Sequence, residues 1–129
     1  MSESDVKRGM VKSVMEMGGY ARRIEDQYGV GIFDTLFIPI GLPVFTAEVK
    51  MVKDYAFGPT VRQLLELERV KVAAHKSGHV IPLMIGFKQG AYYFHEPKAV
   101  IDCRECFSVT SIKMSFHDQL VQYYHSRRK

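Results

Sequence analysis

"GIFDTLFIPIGLPVFTAEVKMV", residues Gly31–Val52, reads as two apolar strands around a turn at Gly41, and yet it carries Asp34, Glu48 and Lys50. In an antiparallel hairpin that turns at Gly41, with Leu42 and Pro43 beside it, Asp34 lies opposite Glu48, and opposed residues project to one face. A two-residue turn at Gly41–Leu42 instead shifts the pairing by one and offsets the carboxylates. Lys50, two residues past Glu48, shares its face by the strand period of two, while Phe33 and Val49 point the other way, into the core. One pleated face thus gathers two carboxylates and an ammonium. Carboxylates that close repel each other unless a cation stands between them. Ligation by oxygen alone suits Mg²⁺, which takes one or two carboxylates, waters and phosphate oxygens. With a lysine to hold a water or a phosphate, this is equipment for metal-assisted phosphodiester hydrolysis. The same pattern also suits a strand face that carries charge only to stay in water.

Outward from the hairpin, the flanking segments read as follows. Val6, Met10, Val14 and Met17 recur at helical spacing, with Ser2 or Ser4 as cap and Gly18–Gly19 as the stop. A short strand covers about Tyr20 to Ile24, followed by a polar, glycine-containing loop. After the hairpin, "DYAFGP" reads as a loop. "TVRQLLELERVKVAAHKSG" is the strongest helix, with Leu64, Leu67, Val70 and Ala74 on its apolar face and Gly78 just past its end. "HVIPLMIGFKQGAYYFHE" reads as strand, Gln89–Gly90 turn, strand. A further short strand or two follows. "SFHDQLVQYYHSRRK" is a final helix capped by Ser115, with Asp118 in the capping-box position. The order α-β-β-β-α-β-β and a tail predicts an α/β fold, a single domain with a mixed sheet flanked by helices.

The bounds agree. A chain of 129 residues builds one domain with a real core, and 47% hydrophobic with 25% charged residues is ordinary for a soluble globular protein. Apolar runs stay short of the ~20 residues of a membrane span, and "MSESDVKRGM" lacks the pattern of a signal peptide, so the cytoplasm is the expected compartment. A formal charge of +4 leans mildly towards polyanionic partners such as nucleic acid.

An aspartate near the start of one strand, then a glutamate, one apolar residue and a lysine on the next, resembles the signature of the PD-(D/E)xK nuclease superfamily. "MGGYARRI", "GVGIFDTLFIP", "FTAEVKMV" and "GPTVRQLLELERVKVAAHKSGHVIPLMIGF" resemble its VRR-NUC branch, small nucleases of phages and repair enzymes. The chain is also similar to archaeal Holliday junction resolvases, notably in a glutamine-bearing helix that ends in glycine before an apolar strand. The resemblance runs from about Glu3 to Phe87. It implies a restriction-endonuclease-like core, set at residues 1–96; the stretch after Glu96 lies beyond the resemblance, and 97–129 is expected to be an extension packed on the same domain. It further implies Asp34, Glu48 and the Val49 carbonyl as ligands of Mg²⁺ or Mn²⁺, Lys50 as the residue that positions or activates the water, and Gln63 as a supporting catalytic residue. Glu3 is the nearest carboxylate to the glutamate that the family carries on its first helix, where Lys7 and Arg8 hold the likeliest positions, and Phe33 stands where the family has proline.

The implied activity is a metal-dependent DNA endonuclease for junction, flap or branched DNA, in the cytoplasm of a host if phage-encoded. An inactive or weakly active DNA-binding protein of the same fold, or a phage assembly protein, are the alternatives. Arg22, Arg23, Lys53, Arg127 and Arg128 are candidate phosphate contacts. A homodimer would supply the two sites that symmetric cutting needs. "AYYFHEP" and "LVQYYH" offer aromatic residues for its interface, or else complete the monomer core. Cys103 and Cys106 form a C-x-x-C pair without a second such pair, which reads as two reduced thiols rather than as half of a zinc site.

Overall fold

The computed structural model describes residues 2–23, 35–61, 63–65, 69, 81–108 and 114–127. The first helix, α1, spans Glu3–Glu16. Its cap is Ser2 rather than Ser4. The Asp5 N–H donates to Ser2 Oγ at 3.1 Å and the Ser2 N–H donates to Asp5 Oδ2 at 3.1 Å, a reciprocal capping box with Asp in the usual Glu place. Val6, Met10 and Val14 are buried, whereas Met17, at the C-cap, is exposed beyond the end of the apolar stripe.

The strands are β1 (Tyr20–Arg23), β2 (Thr35–Ile38), β3 (Phe45–Met51), β4 (Ala56–Phe57), β5 (Ile81–Lys88), β6 (Ala91–His95) and β7 (Ile101–Asp102). Five of them form one sheet in the order β1-β2-β3-β5-β6. All its neighbours are antiparallel except β3 and β5, so the sheet is mixed, as expected. In the hairpin, Thr35 pairs with Ala47, Leu36 with Thr46 and Phe37 with Phe45, the register of a turn at Gly41. Leu42 N–H reaches Pro39 O at 3.5 Å, and Gly41 has φ +68° with no atom within 4 Å of an added Cβ. Its glycine thus answers to the backbone conformation alone. The Gln89–Gly90 turn also stands as read, both residues having positive φ, 51° and 85°.

Strand alternation divides the sheet into two faces. One carries Ala21, Phe37, Phe45, Ala47, Val49, Leu83, Ile85, Phe87 and Phe94, packed with Val6, Met10 and Val14 of α1 and with Phe116, Leu120, Tyr123 and Tyr124 of the C-terminal helix α2, Phe116–Arg127. Phe94 stacks on Tyr123 with centroids 4.9 Å apart and lies 6.0 Å from Phe116. The aromatics of "AYYFHEP" and "LVQYYH" are largely spent here: Phe94, Tyr123 and Tyr124 are buried and Tyr92 is partly buried against the same core. They complete the monomer, which removes them as surplus material for a dimer interface. The opposite face carries a smaller cluster of Val52, Phe57, Met84, Ile101 and Cys103, with Leu64 and Tyr93 against it.

Part of "DYAFGP" is strand rather than loop. Ala56 and Phe57 pair with Asp102 and Ile101 in a two-stranded sheet, too short for any sequence period to mark. Residues 61, 63–65 and 69 are helical, where the strongest helix was read. Leu67, Val70, Ala74 and Gly78 lie outside the described residues. The β6 edge is covered: Gln119, fully buried on α2, accepts from Tyr92 N–H at 3.1 Å and donates to Met114 O at 2.9 Å, and Phe94 N–H donates to Phe107 O at 3.1 Å. These bonds satisfy edge groups that would otherwise invite another strand.

Candidate functional site

Glu48 and Lys50 occupy alternate positions of β3, the middle strand of the five, and so share a face. Lys50 Nζ lies 3.4 Å from Glu48 Oε1. Glu48 is 3% exposed, and Lys50 is half-buried beside it. The parallel register sets Glu48 against Met84 and Lys50 against Gly86. A Cβ at Gly86 would stand 2.6 Å from Val52 Cγ2 and 2.9 Å from Phe57 Cε1. The absent side chain is thus what lets Val52 and Phe57 close down beside Lys50, walling one side of the charged pair with apolar atoms. Burying a carboxylate is costly unless charge and hydrogen bonds answer it. Placing one in mid-sheet with an ammonium against it concentrates a strong local field in a poorly hydrated place.

The other sequence-derived candidates are distributed as follows. Asp34 and Arg128 lie outside the described residues. Val49, between the two charged residues, turns its side chain into the core. Arg22 pairs with Leu36, which pairs with Thr46, so Arg22 shares the Glu48 face. Arg23 sits on the opposite face and donates from Nη1 to Ser4 Oγ at 2.9 Å, so the two arginines do not act as one patch. Lys53 is exposed just past β3. Arg127 is held on α2, which packs the face away from Glu48. Its guanidinium reaches Glu96 Oε1 at 2.9 Å and Tyr123 Oη at 2.6 Å. Glu3, on α1, pairs at 4.0 Å with Lys7, a lysine buried without any local pattern to mark it.

Gln63, expected as a supporting catalytic residue, sits at the start of its helix and bonds to Thr60. Its Oε1 accepts from Thr60 N–H at 2.9 Å, and its own N–H donates to Thr60 Oγ1 at 3.2 Å. This is a capping box, Thr60-x-x-Gln63, opening the helix. The T-x-x-Q spacing in the sequence is the signal for this cap.

Among the described residues no three His, Cys, Asp or Glu side chains gather closely enough to hold a metal ion. The donor chemistry of Glu48 nonetheless fits a hard divalent cation, since a buried carboxylate oxygen is the ligand such ions take. The C-x-x-C pair brackets a 3₁₀ turn, Cys103–Glu105, with Cys103 at its start, Cys106 at its C-cap and both thiols free. Cys106 Sγ donates to Asp102 O at 3.4 Å, and burial pushes its thiol up to about 12. Asp102 goes the other way, to about 2, through the hydrogen bonds it accepts from Arg104.

No protein-family model matches the sequence, and neither does any curated protein. The fold is that of restriction-endonuclease-like α/β proteins: a mixed five-stranded sheet flanked by helices in one small domain. Among solved structures it is similar to Hjc, a Holliday junction resolvase from the archaeal hyperthermophile Archaeoglobus fulgidus. The TM-score is 0.58 and the identity 16%, over 83% of this chain and 91% of that one. At that identity the likeness establishes the fold. No helix among the described residues is long and apolar enough to cross a membrane.

Proposed function

We propose that this chain is a metal-dependent endonuclease that hydrolyses phosphodiester bonds in branched DNA. The observation that carries the reading is the Glu48–Lys50 pair, 3.4 Å apart on the middle strand of a fold shared with a junction resolvase. Asp34 is taken as the partner of Glu48, as the sequence pattern implies. Asp34, Glu48 and the Val49 carbonyl would then hold Mg²⁺ or Mn²⁺. A bound ion supplies Lewis-acid stabilisation of the charge that builds on the scissile phosphate. Glu48 keeps Lys50 at the site. The ammonium donates to a phosphate oxygen or orients the attacking water, and its charge counts most where water is scarce. Arg22, on the same face, and Lys53 take neighbouring phosphates. The finer VRR-NUC likeness rests on the sequence motifs alone.

Symmetric cutting of a four-way junction calls for two such sites, which a homodimer supplies. Met17, Tyr20, Ile38 and Ile40, exposed at one end of the sheet, are apolar residues that such an interface would use. Light scattering at micromolar concentration tests this, with a mass twice that of the chain as the expected result.

The engagement of Glu3 by Lys7 and of Gln63 by Thr60 favours a second reading, a DNA-binding protein of the same fold with little turnover. A cleavage assay on duplex, flap, splayed-arm and four-way-junction DNA with Mg²⁺ or Mn²⁺ separates the two. Cutting of branched substrates that stops on chelation is the expected result. Tight binding without cutting under either metal selects the second reading.

A further inference from the structure

An opening lies on the Glu48 face of the sheet, a cavity of about 250 Å³ lined by Tyr55, Lys88, Gln89, Ala91 and Tyr93. Its relation to the charged pair follows from register. Lys50, Gly86 and Tyr93 stand in one row across β3, β5 and β6. Two strand spacings put Tyr93 about 10 Å from Lys50. That is roughly three nucleotides of a stacked strand at about 3.4 Å each.

The chemistry of the lining is mixed in a particular way. Tyr55 is 57% exposed at the tip of a tight turn closed by the Lys53–Ala56 bridge, in which Asp54 adopts φ 57°. Lys88 Nζ lies 4.6 Å from the Tyr55 ring centroid and donates to Asp54 O at 2.7 Å. Arg104 also approaches that ring, at 5.6 Å, but its charge is answered by Asp102 at 2.6 Å. Lys88 has no such carboxylate among its described partners, so its charge is open to an incoming anion. Ala91, directly across the strand pair from Lys88, leaves the floor low. The Tyr93 hydroxyl, a phenol that is protonated at neutral pH and that burial shifts further upward, offers a neutral donor. One open cation, two phenols and a carboxamide around a small cavity match a nucleotide, with its phosphate on the ammonium and its base against the tyrosines. A crevice lined by Phe94, Phe107, Tyr123 and Arg127 lacks this character because Glu96 already pairs with its arginine.

We infer that the Tyr55–Lys88–Tyr93 pocket holds an unpaired nucleotide of the DNA strand leaving the Glu48–Lys50 site. The inference rests on the nuclease reading and adds to it a preference for substrates with a single-stranded arm. The test uses the full chain in Ca²⁺, with splayed-arm DNA carrying 2-aminopurine at successive arm positions; the chain contains no tryptophan to obscure the signal. Quenching should peak about three nucleotides from the branch. Tyr55→Ala should abolish that peak and weaken arm-bearing DNA about tenfold, while Tyr55→Phe keeps both. Lys88→Ala should lower the salt dependence of binding by about one phosphate contact. Fully paired duplex should bind all variants alike. If Tyr55→Ala and Lys88→Ala bind arm-bearing DNA as the parent does, the pocket assignment falls and the nuclease reading stands. If the parent chain binds no DNA and cuts none with Mg²⁺ or Mn²⁺, both fall.

Discussion

Lys50 Nζ stands 3.4 Å from Glu48 Oε1, and the two residues leave the same strand on the same side. Their proximity is written into the backbone, because residues two apart on a strand cannot face different ways. Replacing Glu48 with alanine should abolish cleavage while the protein still folds. Lys50→Ala should lower turnover by about 10² or more, with DNA affinity changing far less, if the ammonium acts mainly in the transition state. Ca²⁺ should support binding without cutting. Steady-state kinetics beside a binding titration checks all three, and full activity of the Glu48→Ala protein would dissociate the pair from catalysis.

Gly86 is tested through its missing atom. An added methyl would meet Val52 Cγ2 at 2.6 Å and Phe57 Cε1 at 2.9 Å. Gly86→Ala should therefore destabilise the fold by about 1–3 kcal/mol through overpacking. Urea denaturation measures this, and a companion Val52→Ala should restore part of the loss.

Gln119 is the buried polar staple between α2 and β6. Gln119→Leu leaves Tyr92 N–H without its acceptor, which should cost about 1–3 kcal/mol. Hydrogen exchange at Tyr92 should accelerate in the variant. An unchanged rate would mean that the edge is protected by something other than this side chain.

Cys106 yields a pH prediction. Burial raises its thiol from 9.0 to about 12, so the folded chain keeps a proton that the unfolded chain releases above about pH 9. Stability contributed by the neutral thiol is complete below pH 9 and declines as pH climbs towards 12. Iodoacetamide at pH 8 should label Cys106 much more slowly in the native protein than in urea, as read by mass spectrometry.

What the sequence disclosed and what it withheld divide along physical lines. The β2–β3 register was legible because a single glycine turn fixes it locally, and the Gln89–Gly90 turn for the same reason. The shared face of Glu48 and Lys50 followed from strand periodicity. Burial of Lys7, the engagement of Arg23 by Ser4 and the stapling role of Gln119 depend on which distant element packs where, and no local pattern encodes that. The pairing of Ala56–Phe57 with Ile101–Asp102 was hidden by brevity. The aromatic tail could be core or interface by composition, and only packing against Phe94 and Phe116 decided it.

The parallel seam between β3 and β5 joins residue 45 to residue 81, whereas β2 with β3 and β5 with β6 are hairpins of near neighbours. Local hairpins close early and distant pairings late, because loop-closure entropy must be overcome first. During synthesis the strand bearing Glu48 emerges well before Met84 and Gly86, the residues that come to lie beside its charged pair. A nascent chain therefore carries the acidic and basic groups, with Val52 and Phe57 beside them, before the Gly86 strand on which those two close down has been made. The charged face therefore reaches its final form only once the second half of the sheet has docked against the first.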